Sequence, residues 1–222
     1  MAFSLKRYHD FYNTLGFNQS SAFIQWTIKE HEAAILSENC VGAKSVVSVG
    51  TFGGLSVAII LDAMADDGIH YGIDPFFPKY CAQDNYRDVY DATVAHFRRP
   101  GQQTVTFPGF ASIPGEELSQ NASDGEPPIE WHQLKRVPPG VDVCFIDGDH
   151  HDPVPLNDFQ EVWPLIKPGG RVLHHDISNS TWGPHAVSLL NYIRELPDAD
   201  LWTDTSGEDG IAVVTKKDVT AT

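Results

Sequence analysis

The stretch Val46-Val-Ser-Val-Gly-Thr-Phe-Gly-Gly-Leu-Ser56 decides the fold. A short β-branched run, Ser45–Val49, stops at Gly50. An apolar run, Leu55–Ala65, follows the glycines with helical character until Asp66-Asp67-Gly68 ends it. Strand, tight turn and helix then recur along the chain. Ile69–Ile73 reads as a second strand ending at Asp74-Pro75, and Tyr80–Arg99 as a polar helix closed by Pro100-Gly101. Thr104–Phe107 is a third strand. Val141–Ile146 is a buried strand running into Asp147-Gly-Asp-His-His151. Leu156–Ile166 is a helix ended by Lys167-Pro-Gly-Gly170, and Arg171–Leu173 begins a strand that leads into His174-His175-Asp176. A helix over 184–196 and strands over about 200–204 and 210–216 complete the pattern. Alternation at this spacing predicts an α/β fold with a mainly parallel sheet and helices on both faces.

Upstream, residues 1–40 read as an N-terminal helical cap, with Ser20 or Ser21 capping a segment that carries Phe23 and Trp26. Residues 41–222 form one domain, interrupted by a Pro-, Gly- and Glu-rich stretch over 114–140 that reads as a mobile insertion. At 41% hydrophobic residues the chain can build a real core, which excludes disorder. A net charge of −15 disfavours nucleic acid and anionic membranes as partners, because both need clustered cations. The first residues lack the apolar run of a signal peptide, and no stretch reaches the ~20 apolar residues of a membrane span. Cys40, Cys81 and Cys144 form no Cys-x-x-Cys pair, so they read as reduced thiols of a cytoplasmic protein, Cys144 in a buried strand. No Gly-x-Ser-x-Gly elbow, phosphate loop or His-Glu-x-x-His occurs, so hydrolase and zincin chemistries lack their motifs.

Right-handed crossovers bring the ends of parallel strands to one edge of a sheet, where open α/β proteins bind ligands. Four strand ends here carry unusual chemistry: Gly50-Thr-Phe-Gly-Gly54, Asp74, Asp147 to His151, and His174-His175-Asp176. The glycines allow close backbone approach, and a helix N-terminus offers N–H groups to an anion. Asp74, about 24 residues after Gly50, stands where an acid bonds ribose hydroxyls, so an adenosine-type cofactor is expected. The dinucleotide spacing Gly-x-Gly-x-x-Gly is broken by Phe52 and Leu55, which disfavours NAD.

These elements, with Phe145-Ile-Asp-Gly-Asp-His150 and Pro164-Leu-Ile-Lys-Pro-Gly-Gly170, resemble the class I S-adenosylmethionine-dependent methyltransferases. The similarity is to their small-molecule O-methyltransferase branch, including sugar, catechol and cephalosporin-hydroxylase-like enzymes, and covers roughly residues 45–217. It implies a Rossmann-like, doubly wound, seven-stranded sheet with a reversed C-terminal strand. It implies S-adenosyl-L-methionine as cofactor, with Gly50, Thr51, Gly53 and Ser56 at the methionine moiety, Asp74 at the ribose and Gly109 to Ser112 flanking the adenine. By the same resemblance Asp147 touches the cofactor's amino end and ligates Mg²⁺ or another divalent cation, with Asp149 as general base and His175 and Asp176 as the second metal pair. Neighbouring strands lie about 4.8 Å apart, so Asp147 and Asp176 can share one ion. Two departures stand out. Ser48 replaces the acid usual two residues before the first glycine, and His175 offers nitrogen where Mg²⁺ prefers oxygen.

Imidazole titrates near neutrality, so a histidine could deprotonate the acceptor, and His150 continues the Asp-Gly-Asp run. Tyr8, Phe11, Tyr12 and Trp131 would cover the cleft and suit a planar small-molecule acceptor. The reading leaves room for a homo-oligomer. Two other readings stay open: a hydroxylase using a two-histidine, one-carboxylate iron site, and a non-catalytic cofactor-binding protein.

Overall fold

A computed structural model of the chain describes residues 4–16, 28–76, 86–112, 130–178, 181 and 183–218. Phe23, Trp26, Cys81 and the capping serines Ser20 and Ser21 lie outside them. One seven-stranded sheet has the order β3-β2-β1-β4-β5-β7-β6. Its strands are β1 (Ser45–Val49), β2 (Ile69–Asp74), β3 (Gln103–Pro108), β4 (Val141–Ile146), β5 (Ile166–His175), β6 (Ala199–Asp204) and β7 (Ile211–Lys216). The pairs from β3 through to β5 are parallel. β7 is antiparallel to both β5 and β6, which makes it the reversed strand. Chain order reverses between β1 and β4, and the loops at that point belong to Gly50 and Asp147.

Helices α1 (Lys6–Thr14), α2 (Glu30–Cys40), α3 (Leu55–Ala63), α4 (Tyr86–Phe97), α5 (Val154–Val162) and α6 (Val187–Glu195) flank the sheet. Every residue of α3 from Leu55 to Leu61 is buried, because this helix lies between the sheet and other helices. α2 buries the stripe Glu32, Ala33, Leu36 and Cys40, a helical spacing that faces the same core as Leu173 and Val213. α5 and α6 cover the other sheet face through Phe159, Val162, Leu189 and Ile193. Among the described residues no helix is long and apolar enough to cross a membrane.

Three sequence expectations change. The run Lys167-Pro-Gly-Gly170, read as a turn, lies inside β5, which starts at Ile166. The β4–β5 register shifts between Val141 and Val143, and Gly169 has φ +77°, so a bulge absorbs the proline and glycines within the strand. Of the insertion expected over 114–140, residues 130–140 are built into the fold. Gln133 and Leu134 are buried in a short 3₁₀ turn, and the amides of Gln133 and Leu134 bond the carbonyls of Phe110 and Ala111. Tyr8 and Tyr12, expected to face an acceptor, are buried beside Phe97 in the core, while Trp131 is exposed.

Candidate active site

Gly50 carries φ +76°, and a Cβ there would lie 2.1 Å from the carbonyl oxygen of Asp147. Only glycine lets the β1 loop run this close to the end of β4. The Gly50 amide donates to Ile73 O at 2.9 Å and the Asp147 amide to Val49 O at 2.8 Å, so three strand ends are stitched together. Gly54, at φ +91°, opens α3. The Gly53 carbonyl accepts the hydroxyls of Tyr12 and Thr93, each at 3.1 Å, which anchors the loop from below. Ser56 is buried in the first turn of α3, and Thr51 is buried with its hydroxyl unpartnered.

Asp74 is 7% exposed and accepts four donors. Its Oδ2 takes the amides of Thr51 and Phe52 at 2.8 and 2.9 Å, and its Oδ1 takes the Phe76 amide at 2.7 Å and the Tyr86 hydroxyl at 3.2 Å. A carboxylate has about four lone-pair directions. These four bonds make Asp74 the anchor of the loop after β1 at the end of β2, where the ribose contact was expected. Burial raises its pKa against the pull of those donors. Phe52 and Phe76 both have positive φ, 44° and 51°, and stack on Tyr86 at 5.8 and 5.7 Å. Ser48, where an acid was expected, pairs with His70 Nε2 at 2.9 Å in the core. Burial lowers the His70 pKa to about 3, so this pair is neutral.

Beyond β4 and β5 the structure brings together Asp147, His150, His175 and Asp176. His175 Nδ1 lies 3.3 Å from both Asp147 Oδ1 and Asp176 Oδ2, and His150 Nε2 lies 3.1 Å from Asp176 Oδ2 and 3.9 Å from Asp147 Oδ1. Burial works against a charged His175, yet the two carboxylates outweigh it and hold its pKa well above the ordinary range. Asp176 is lowered in turn: burial opposes its charge, and His175 and His150 overcome that. It sits at φ +60°, a conformation aspartate tolerates better than most residues.

The ligand atoms of Asp147, His175 and Asp176 all lie within 4.8 Å of one another. A cation between the carboxylates would displace the proton that they hold on His175, since a metal binds the neutral imidazole. The donor set fits a divalent ion, and its one nitrogen favours Mn, Fe, Ni or Zn over Mg. It is not the two-histidine, one-carboxylate set of the hydroxylase reading.

Asp149 stands apart from this cluster. Its Oδ1 binds the amide of His151 at 3.0 Å and the ring of His151 at 2.7 Å, and its charge acts on Asp158 of α5. Ser112 is 1% exposed, and its hydroxyl donates to Asp158, so it has no side-chain donor left for a base. His174 faces away from the cluster with its Nδ1 bonded to the His175 carbonyl at 2.7 Å, and burial lowers its pKa to about 4. Sequence reasoning missed Asp158 and Glu32. Each is a carboxylate on the buried stripe of an amphipathic helix, and that position was the available signal.

The family model for a methyltransferase domain matches residues 47–177, more than half of the chain. The chain belongs to the methyltransferase-domain family. It is 24% identical over 156 residues to uncharacterized protein R132 of Acanthamoeba polyphaga mimivirus, covering 66% of this chain and 58% of that protein. The chain thus spans little more than half the length of this curated relative. Similar solved structures include the O-methyltransferase from Bacillus cereus in complex with SAH, at 16% identity and TM-score 0.61, covering 95% of this chain and 90% of that one. TomG, an O-methyltransferase from Streptomyces achromogenes in complex with SAM, matches at 14% identity and TM-score 0.57 over 96% of both chains. SAH-bound PaMTH1 of Podospora anserina matches at 12% identity and TM-score 0.65, over 96% of this chain and 88% of that one. These likenesses establish the class I methyltransferase fold.

Proposed function

We propose that the chain transfers the sulfonium methyl of S-adenosylmethionine to a hydroxyl of a small-molecule acceptor. The observation that carries this reading is the meeting, at the sheet's switch point, of the Gly50 loop with a carboxylate–imidazole cluster. The methionine end would lie on Gly50, Thr51 and Gly53, with its carboxylate facing the N-terminus of α3 near Ser56. The acceptor oxygen attacks the methyl carbon, the carbon–sulfur bond breaks, and its electron pair stays on sulfur. With His150 Nε2–H facing Asp176 Oδ2 at 3.1 Å, Nδ1 takes the acceptor's proton and Asp176 stabilises the imidazolium. Alignment of oxygen, methyl and sulfur supplies the larger share, since positioning alone can remove roughly 7–11 kcal/mol of barrier. Where a divalent ion binds, Asp147, Asp176 and His175 would hold it, and it would polarise the acceptor oxygen. A small acceptor, rather than a nucleic acid, suits a chain of net charge −15.

Two measurements test the reading. Calorimetry should detect binding of S-adenosylmethionine and of its demethylated product. A radiolabelled methyl-transfer assay against fractionated small-molecule extract, run with and without chelator, should yield a labelled product. Absence of heat with both nucleosides on folded protein overturns the proposal.

A further inference from the structure

We propose that Asp158 is a positioning residue that shapes the nucleoside end of the cofactor site by holding Ser112 at the end of the β3 loop. The inference rests on the methyltransferase reading and extends it to a residue on α5. Asp158 is 3% exposed and Ser112 1%. The Asp158 carboxylate accepts both the hydroxyl and the backbone amide of Ser112. The rest of that loop is equally committed. The Gly109 amide donates to Asp74 O at 3.0 Å, the Phe110 amide to Glu130 O at 3.0 Å, and the His132 amide to Ser112 O at 3.3 Å. A Cβ on Gly109 would come 2.3 Å from Glu130 O, so the two chain segments are in direct contact.

A nucleoside whose ribose sits beyond β2 reaches outward to the next strand, β3, about 4.8 Å further on. Its base then lies against the 109–112 loop. Ser112 contributes a fixed wall there, and Asp158 is what fixes it.

The surroundings of Asp158 make the hold conditional. Asp149 and Glu161 act on it with like charge, the buried Cys144 thiol lies behind it, and His132 pairs with Glu161 Oε1 at 2.5 Å. Asp149 Oδ2 and Glu161 Oε2 are buried without partners. Burial first, and then these two charges, raise the Asp158 pKa to about 7. The ionised carboxylate accepts both Ser112 donors. Protonation turns one acceptor oxygen into a donor and loosens the grip.

The test is calorimetric titration with S-adenosylhomocysteine at pH 8.5, 7 and 5.5, for wild type, Asp158→Asn and Ser112→Ala. One lost hydrogen bond corresponds to about five-fold in affinity. Wild type should therefore weaken by about that factor on acidification. Asp158→Asn, isosteric with the protonated acid, should bind at the acidic level at every pH, and Ser112→Ala should show a reduced pH response. A merely structural role would lower affinity equally at all three pH values. Variants that keep the wild-type affinity and pH profile overturn the inference while leaving the methyltransferase reading intact. No heat from wild type at any pH overturns both.

Discussion

Replacing Glu32 by methionine should make the protein more stable. Glu32 sits in the first turn of α2, 1% exposed, with both carboxylate oxygens buried and unpartnered. It occupies space that only Gly207 leaves open, since a Cβ there would come 1.9 Å from Glu32 Oε1. A buried polar group without a partner costs about 1–3 kcal/mol. Against this, an acid in the first turn gains about 0.3–1 kcal/mol from the helix dipole. Methionine has similar length and helix propensity, so no cavity opens. The balance is a gain of up to about 2.7 kcal/mol, centred near 1.3, and at about 2–4 °C per kcal/mol in a chain of this size the central figure raises Tm by about 3–5 °C. Urea titration followed by circular dichroism should show a higher midpoint at unchanged slope. A loss of 1 kcal/mol or more would refute the reasoning, because it would mean the carboxylate has a partner in the folded protein.

Gly50→Ala should abolish cofactor binding in calorimetry and cost more than about 2 kcal/mol, because the methyl meets the Asp147 carbonyl at 2.1 Å in a left-handed conformation. His150→Ala should lower methyl transfer by about 10²–10⁴-fold while leaving S-adenosylhomocysteine affinity within a few-fold, read by the radiolabel assay and calorimetry side by side. His70→Gln should flatten the acid side of the stability curve. The folded histidine titrates at about 3 against 6.5 when unfolded, so the unfolded chain binds the extra proton between those values and wild-type stability falls as pH drops from 6.5 towards 3. Urea midpoints at pH 4.5 and 7.5 should lie closer together in the variant than in wild type.

The parts of the fold that local chemistry dictates were legible. β1 and β4 have the predicted ends because each is a β-branched apolar run bounded by polar or glycine signals. β5 was cut short because Pro168 and two glycines carry the same turn signal whether they end a strand or sit in a bulge, and only pairing with β4 distinguishes the two. In the site, Asp147, His150, His175 and Asp176 were legible as strand-end chemistry, since a parallel sheet brings strand ends together whatever the side chains. The roles of Asp74, Ser112 and Tyr12 were not. Each is decided by a partner distant in sequence: Asp74 by the Thr51 amide, Ser112 by Asp158, Tyr12 by the Gly53 carbonyl.

That difference follows from how the two ends of the site handle charge. At the β4–β5 end, carboxylates and imidazoles lie within 3.1–3.9 Å of one another and compensate mutually. Compensated charge can be recognised from residue type alone, because opposite groups at neighbouring strand ends will pair. At the α5 end, Asp149, Asp158 and Glu161 repel one another, and one of them is pushed up to about 7. Asp149 has the His151 ring beside it and Glu161 has His132, so which of the three acids carries the repulsion is decided by burial and by partners across the fold, and residue type alone does not reveal it.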